Sequence, residues 1–167
     1  MKSAEMRSSM DSIIIASVTT VLSVARCIPP ESQLTVLSSA MNVAMALLNC
    51  QQVKVIQLGG IVRHTSSSVT GEYALRMLEN FSGTKLFLGV DGIDLKYGLT
   101  TTNFMEASVN RAMIDAAQKI IVLTDSSKFG RRGFGKICEL DAVDQIITDS
   151  GVSPKVVREL EELGIKV

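Results

Sequence analysis

Several loop residues of this 167-residue chain are of types that grip a small anion. Lys128, within Asp125-Ser126-Ser127-Lys128-Phe129-Gly130, offers a compact point charge to a phosphate or carboxylate, or is an ordinary exposed loop lysine. Thr19 and Thr20 form one hydroxyl pair and Ser38 and Ser39 another, each where a helix is expected to start. Hydroxyls and free backbone N–H groups at helix starts hold phosphates, and equally they cap helices. Arg63, shortly after Gly59-Gly60, can clamp a phosphate bidentately or serve a surface or subunit interface. Asp91, followed by Gly92, can accept hydrogen bonds from a sugar hydroxyl. His64 is the single histidine and has no Cys or second His beside it, so it reads as a solvated loop residue. Cys27, Cys50 and Cys138 are widely separated and form no CxxC. They read as small, buried apolar residues, and neither a metal site, a disulfide framework nor a cofactor is expected.

Positioning these residues falls to short β-branched runs at 12–16, 34–37, 53–58, 85–90, 119–124 and 143–148. Each is nearly continuous in apolar character, as strands buried on both faces are. Between them, the spacing of apolar residues predicts helices over 20–27, 40–49, 71–81, 104–117 and 154–163. Met41 and Met45 lie on the apolar repeat of the second helix and are expected in the core. Ser153 and Pro154 suit the N-cap and first turn of the last helix, Gly164 its stop, and 165–167 a short final strand. Alternating strands and helices imply an α/β domain of three layers, a mostly parallel sheet with helices on both faces. Ligands of such sheets bind beyond the carboxyl ends of the strands. The runs are followed there by Ala16-Ser17-Val18-Thr19-Thr20, Ser38-Ser39-Ala40, Gly59-Gly60-Ile61-Val62-Arg63, Asp91-Gly92-Ile93-Asp94 and the Asp125–Gly130 loop. Their agreement on one sheet edge points to an anionic, hydroxylated small ligand.

Composition fits that reading. Apolar residues make up 46% and aromatics 4%, with no Trp, a palette for a helix-covered parallel sheet rather than a sandwich. Lys plus Arg and Asp plus Glu are 17 each, so the chain lacks the basic surplus with which proteins grip nucleic acid. No apolar run is long enough to span a bilayer, and the start lacks a signal peptide's layout. A cytoplasmic location without membrane partners is expected.

The strand-end motifs resemble the C-terminal domain of the DeoR family of bacterial transcriptional repressors. Asp125-Ser126-Ser127-Lys128-Phe129-Gly130 matches that family's DSSKFG motif letter for letter. Phe87-Leu88-Gly89-Val90-Asp91-Gly92-Ile93, then Gly98-Leu99-Thr100-Thr101 and Glu106-Ala107, follow the same pattern. So do Gly59-Gly60 with Arg63, Gly71 and Ala74, and Leu34-Thr35-Val36 with Asn42 and Ala44. Two loops depart from the family. Its Asp-x-Gly-(Ser/Thr)-Thr-Thr stretch is replaced by Ala16-Ser17-Val18-Thr19-Thr20, and its Thr-Asn-Ser by Ser38-Ser39-Ala40.

The resemblance implies a fold like ribose-5-phosphate isomerase and the CoA transferases. It implies binding of a phosphorylated sugar or related anionic metabolite, assembly as a homo-oligomer, and DNA contact only through a winged helix-turn-helix absent from this chain. Residues 1–10 are then expected to be a linker or remnant of that connection, and 11–167 the effector-sensing domain. The resemblance places Thr19, Thr20, Ser38, Ser39, Gly59, Gly60, Arg63, Asp91, Gly92, Glu106 and Lys128 at the ligand. An enzyme is the alternative: Asp91-Gly92-Ile93-Asp94 resembles the Asp-Gly-Ala-Asp segment of the isomerases, with Glu106 near their general base. Their Lys-Gly-Gly-Gly stretch is missing, and with it the stabiliser of an enediolate, so no catalysis is expected. A third possibility is a remnant that oligomerises without sensing.

Overall fold

A computed structural model describes residues 11–167; the expected linker over 1–10 lies outside the described residues. Six strands form the central sheet in the order β11-β9-β6-β1-β2-β3: β1 (Ser12–Ile15), β2 (Thr35–Ser38), β3 (Lys54–Gln57), β6 (Gly83–Gly89), β9 (Ala117–Leu123) and β11 (Gln145–Ile147). Every pairing in it is parallel. Ile13, Ile14 and Ile15 show why the strands read as unbroken apolar runs. Ile14 enters one core, while Ile13 and Ile15 enter the other on the opposite face. Each such buried side chain contributes about 1.5–3 kcal/mol.

Helices α1 (Thr19–Arg26) and α2 (Met41–Ala46) cover one face through Val21, Leu22, Ala25 and Val43. Helices α3 (Glu72–Leu78), α4 (Phe104–Asp115) and α5 (Pro154–Glu162) contribute Ala74, Leu78, Ala107, Met113 and Leu160 to the other core. The three-layer α/β architecture is therefore the one expected. Ser153 caps α5 by accepting from the Val156 N–H at 3.3 Å, Pro154 opens it, and Gly164 follows at φ 86°.

Several local expectations need correction. Met45 points outward at 68% exposure, and Val43 with Leu47 fills the core instead. Residues 47–49 leave the helix as turns, so α2 is shorter than its apolar repeat. The final strand reduces to one parallel bridge between Gln145 and Lys166. Of the cysteines, Cys50 is buried and Cys138 half-buried, but Cys27 is exposed. Two small antiparallel units were also not foreseen. They are the hairpin β4 (Ile61–Arg63) with β5 (Ser68–Thr70), and the sheet β10-β8-β7 of β7 (Gly92–Asp94), β8 (Gly98–Thr101) and β10 (Gly135–Cys138).

Strand order places the site. From β1 the chain steps outward through β2 and β3, then returns to the other side of β1 as β6 and continues to β9 and β11. The strand order thus reverses between β1 and β6, the kind of switch point beside which open α/β sheets bind ligands. Register aligns Ile15 with both Ser38 and Phe87, and Gly89 with Leu123, so the carboxyl ends of β1, β2, β6 and β9 share one edge.

Candidate functional site

Hydrogen bonds and one ion pair link several of the expected residues along that edge. At β2, Ser38 Oγ donates to the Ile15 carbonyl at 2.6 Å and accepts from the Ala40 N–H at 3.0 Å. Its hydroxyl is committed to joining two strand ends and is not free for a ligand. Ser39 differs: it is 3% exposed, yet its hydroxyl has no partner among the described residues. Ser17, at the end of β1, is 7% exposed and equally without a side-chain partner. Neither oxygen is among the fully enclosed unpaired atoms, so both hydroxyls reach the surface at adjacent strand ends, where water or a ligand can meet them.

The β4–β5 hairpin leans over the start of α2. Val69 N–H donates to the Ser39 carbonyl at 3.0 Å, and Met41 N–H donates to Ser67 at 2.7 Å. This docking brings Arg63 to Glu106, whose Oε1 lies 3.3 Å from Arg63 Nε in an ion pair without hydrogen-bond alignment. Ser68 Oγ also donates to that carboxylate at 3.3 Å, and Ser66 and Ser68 hydroxyls are 2.7 Å apart. Glu106 is held there from its own helix. Asn103 caps α4 by accepting from the Met105 and Glu106 N–H groups at 3.0 and 3.1 Å. The sequence reading passed over Asn103, although an Asn just before an amphipathic run is a cap signal.

Asp91 joins the β6 end to the same rim. Its Oδ2 accepts from Thr101 Oγ1 at 2.7 Å and from the Thr102 N–H at 2.9 Å. Asp94 caps the following turn, accepting from Lys96 and Tyr97 N–H at 2.9 and 2.8 Å, and lies 3.4 Å from Arg132. Those backbone donors, Tyr97 first, hold its carboxyl below the usual range. Gly92 is a packing requirement, since a Cβ there would overlap the Arg131 carbonyl. Gly60 is likewise closed by the Thr70 carbonyl, whereas Gly59 faces open space.

The Asp125–Gly130 loop completes the edge beyond β9. Asp125 accepts from Ser127 through both side chain and backbone, and Asp149 Oδ2 accepts from the Ser126 N–H at 3.0 Å. Both carboxyls are held below the usual range, chiefly by Ser127 for Asp125 and by the Ser126 N–H for Asp149. Gly130 N–H donates to Ile93 at 2.8 Å, fastening the loop to β7. Lys128 is half-buried, with Asp125 as its nearby counter-charge. Thr19 and Thr20 are exposed at the start of α1, and His64 is exposed as expected.

The sequence model of the family described as "DeoR C terminal sensor domain" matches residues 1–150. The chain belongs to that family. It is 39% identical over 155 residues to a putative aga operon transcriptional repressor of Escherichia coli O157:H7, covering 93% of this chain and 58% of the relative. It is 28% identical over 149 residues to the glycerol-3-phosphate regulon repressor of Escherichia coli K12, covering 89% of this chain and 59% of the relative. The chain therefore spans about three fifths of the length of these curated relatives. Among solved structures, ribose 5-phosphate isomerase from Plasmodium falciparum superposes with a TM-score of 0.52 at 15% identity, covering 80% of this chain and 51% of the isomerase. The isomerase A of Neisseria gonorrhoeae gives 0.50 at 14%, covering 78% and 51%. At that identity the likeness concerns the fold.

Within this DeoR-type sensor domain, Val18 is the site's anomaly. It has φ 102° and ψ 157°, in a region that is essentially glycine-only and costs a β-branched residue of order 1–3 kcal/mol. Its side chain lies against Gly89 at the end of β6, where a Cβ would overlap the Val18 Cγ2 methyl. No side chain caps the N-terminus of α1. Among the described residues, no group of three or more His, Cys, Asp or Glu is placed to hold a metal, and no helix is long and apolar enough to cross a membrane.

Proposed function

We propose that this chain is the effector-binding part of a DeoR-type transcriptional repressor, and that its effector is a phosphorylated sugar or related small anionic metabolite. The observation that carries the reading is the pair of unpartnered hydroxyls of Ser17 and Ser39, which reach the surface at adjacent strand ends from residues otherwise buried. The Arg63 guanidinium on the docked hairpin, partly exposed and tied to Glu106, and Lys128 on the β9 loop supply positive charge to the same rim. Occupation of the rim would bias the hairpin and the loops it touches, and with them the packing of subunits that carry DNA-binding modules. Exposed Ile61 and Val62 on that hairpin, with Met45 on α2 and Leu48 just after it, support self-association there. The name of one relative, a glycerol-3-phosphate regulon repressor, agrees with a small phosphorylated metabolite.

Turnover of the ligand is the weaker reading. Asp94 caps a turn through Oδ1 and pairs with Arg132 through Oδ2, and Asp91 Oδ2 accepts from the Thr101 hydroxyl and the Thr102 N–H, so both carboxylates fasten loops. A thermal-shift screen of sugar phosphates, free sugars and inorganic phosphate tests the sensor reading. A ligand at 100 times its dissociation constant stabilises the fold by about 2.7 kcal/mol. A selective shift with one sugar phosphate, reduced in Ser39→Ala and Lys128→Ala, is expected; no shift with any sugar derivative would overturn it.

A further inference from the structure

Resting on the sensor reading above, we propose that the Glu106 carboxylate is an internal stand-in for the effector's anionic group. It holds Arg63 until a phosphate or carboxylate of the effector displaces it, and that displacement unfastens the β4–β5 hairpin.

The ion pair is poorly made. A guanidinium carries five N–H donors in a planar fork, and a well-fitting oxyanion engages two of them at once. Glu106 does not. Its Oε1 lies 3.3 Å from Arg63 Nε but out of hydrogen-bond line, and that nitrogen is fully enclosed without a hydrogen-bond partner. An enclosed donor left unmade costs free energy, which a better-placed acceptor would recover. Among the described residues the guanidinium makes one hydrogen bond, from Nη2 to Thr65 Oγ1 at 3.3 Å within the same hairpin. Arg63 Nη1 has no partner among them and is not enclosed, so part of the fork meets an oxyanion from the surface. Glu106 Oε2 is likewise unpartnered and not enclosed, which lets the carboxylate stay hydrated once displaced.

Charge points the same way. Glu106, Asp91 and Asp125 share the rim with the cations Arg63 and Lys128. With Glu106 on Arg63 the rim has no cationic surplus, so an anion gains by binding only if it wins Arg63. Winning it changes the structure. Glu106 is the side chain through which α4 holds the hairpin, by the ion pair to Arg63 and by the hydrogen bond from Ser68. An effector that takes Arg63 from Glu106 therefore favours the conformer with the hairpin released.

The test titrates inorganic phosphate calorimetrically into the wild-type chain, Glu106→Gln, Arg63→Gln and the double variant, with sodium chloride holding ionic strength constant. Glu106→Gln keeps the shape and the acceptor for Ser68 but gives up the charge. Phosphate should bind at least about fivefold tighter to Glu106→Gln than to wild type, the low end of ordinary coupling energies. That gain should vanish when Arg63→Gln is added, because a general loss of negative charge would help phosphate with or without Arg63. Phosphate binding no tighter in Glu106→Gln than in wild type overturns the proposal, and so does a gain that survives in the double variant. Hydrogen exchange on the wild-type chain decides without any variant, should one fail to fold. Phosphate should speed exchange at the Val69 and Met41 amides, which fasten the hairpin to Ser39 and to the start of α2, and leave Leu86 unchanged. Unchanged or slower exchange at Val69 and Met41 would overturn the release. Failure of the sensor reading looks different: no sugar derivative then stabilises the wild-type chain, whatever the variants do with phosphate.

Discussion

Replacing Gly89 by alanine should destabilise the domain chiefly because Val18 is where it is. The added methyl would overlap Val18 Cγ2 and come within 3.1 Å of Val21 Cγ2, both on the face covered by α1. Overpacking of this kind costs about 1–3 kcal/mol. Gly89 has no left-handed φ, so alanine fits its backbone and recovers about 0.4–1 kcal/mol through the unfolded chain. The expected net loss is about 1–2 kcal/mol, each kcal/mol lowering the Tm by about 2–4 °C in a domain of this size. Val18→Gly alone should stay within about 1 kcal/mol of wild type, because relief of the strained φ offsets the flexibility of glycine and the lost methyl contacts. In the Val18→Gly background only the 3.1 Å approach to Val21 remains, and Gly89→Ala should then be close to neutral. Guanidinium denaturation of the four proteins reads this as a coupling of about 1–3 kcal/mol. Equal costs for Gly89→Ala in both backgrounds would refute the placement of Val18 against β6.

Other consequences follow from the same geometry. Asn103→Ala should lose about 1 kcal/mol by uncapping α4, and hydrogen exchange should report faster exchange at the Met105 and Glu106 amides. Glu106→Ala, which leaves Arg63 without its counter-charge, should loosen the β4–β5 hairpin and speed exchange at Val69 more than at Leu86 in the central sheet. The carboxyls of Asp125 and Asp149 are depressed in the folded state, so their stabilisation is present from about pH 5 upward and is lost as pH falls through their folded values. Asp149→Asn should therefore narrow its stability gap to wild type in acid, as seen in denaturation curves across pH. Burial first, then the neighbouring Asp141 and Glu139 charges, pushes the Cys138 thiol up to about 12, while Cys27 is exposed. Iodoacetamide at neutral pH should label Cys27 well before Cys138, read by peptide mass spectrometry.

The inner parallel strands were legible because they are buried on both faces, which forces a run such as Ile13-Ile14-Ile15 with no polar interruption. The antiparallel additions were not. Ser68-Val69-Thr70 and Gly98-Leu99-Thr100-Thr101 are too short and too rich in turn-forming residues for periodicity to separate them from loops. Their placement comes from tertiary pairing, as when Ser68 bridges Ala40. Of the candidate site, strand-end position was readable for Ser39, Arg63, Asp91 and Lys128, and the Arg63–Glu106 ion pair adds a helix residue to that edge. Which hydroxyls are already spent was not readable. Ser38 and Ser39 are chemically identical neighbours, but only Ser38 faces the Ile15 carbonyl. Ser17 stood in the expected loop and was passed over for Thr19 and Thr20, which are exposed. Nor does a valine between Ser17 and Thr19 announce a positive φ, since branched residues favour extended backbone.

Amide chemical-shift mapping of the bound effector tests the strand-end site most directly. Once the thermal screen selects a sugar derivative, it is titrated into isotope-labelled protein. Shifts should concentrate at residues 16–20, 38–41, 63–70, 89–92, 100–103 and 124–130. Saturable perturbations clustered instead along β11 and α5, or none at all with a ligand that stabilises the fold, would contradict a sensor site at the carboxyl edge of this sheet.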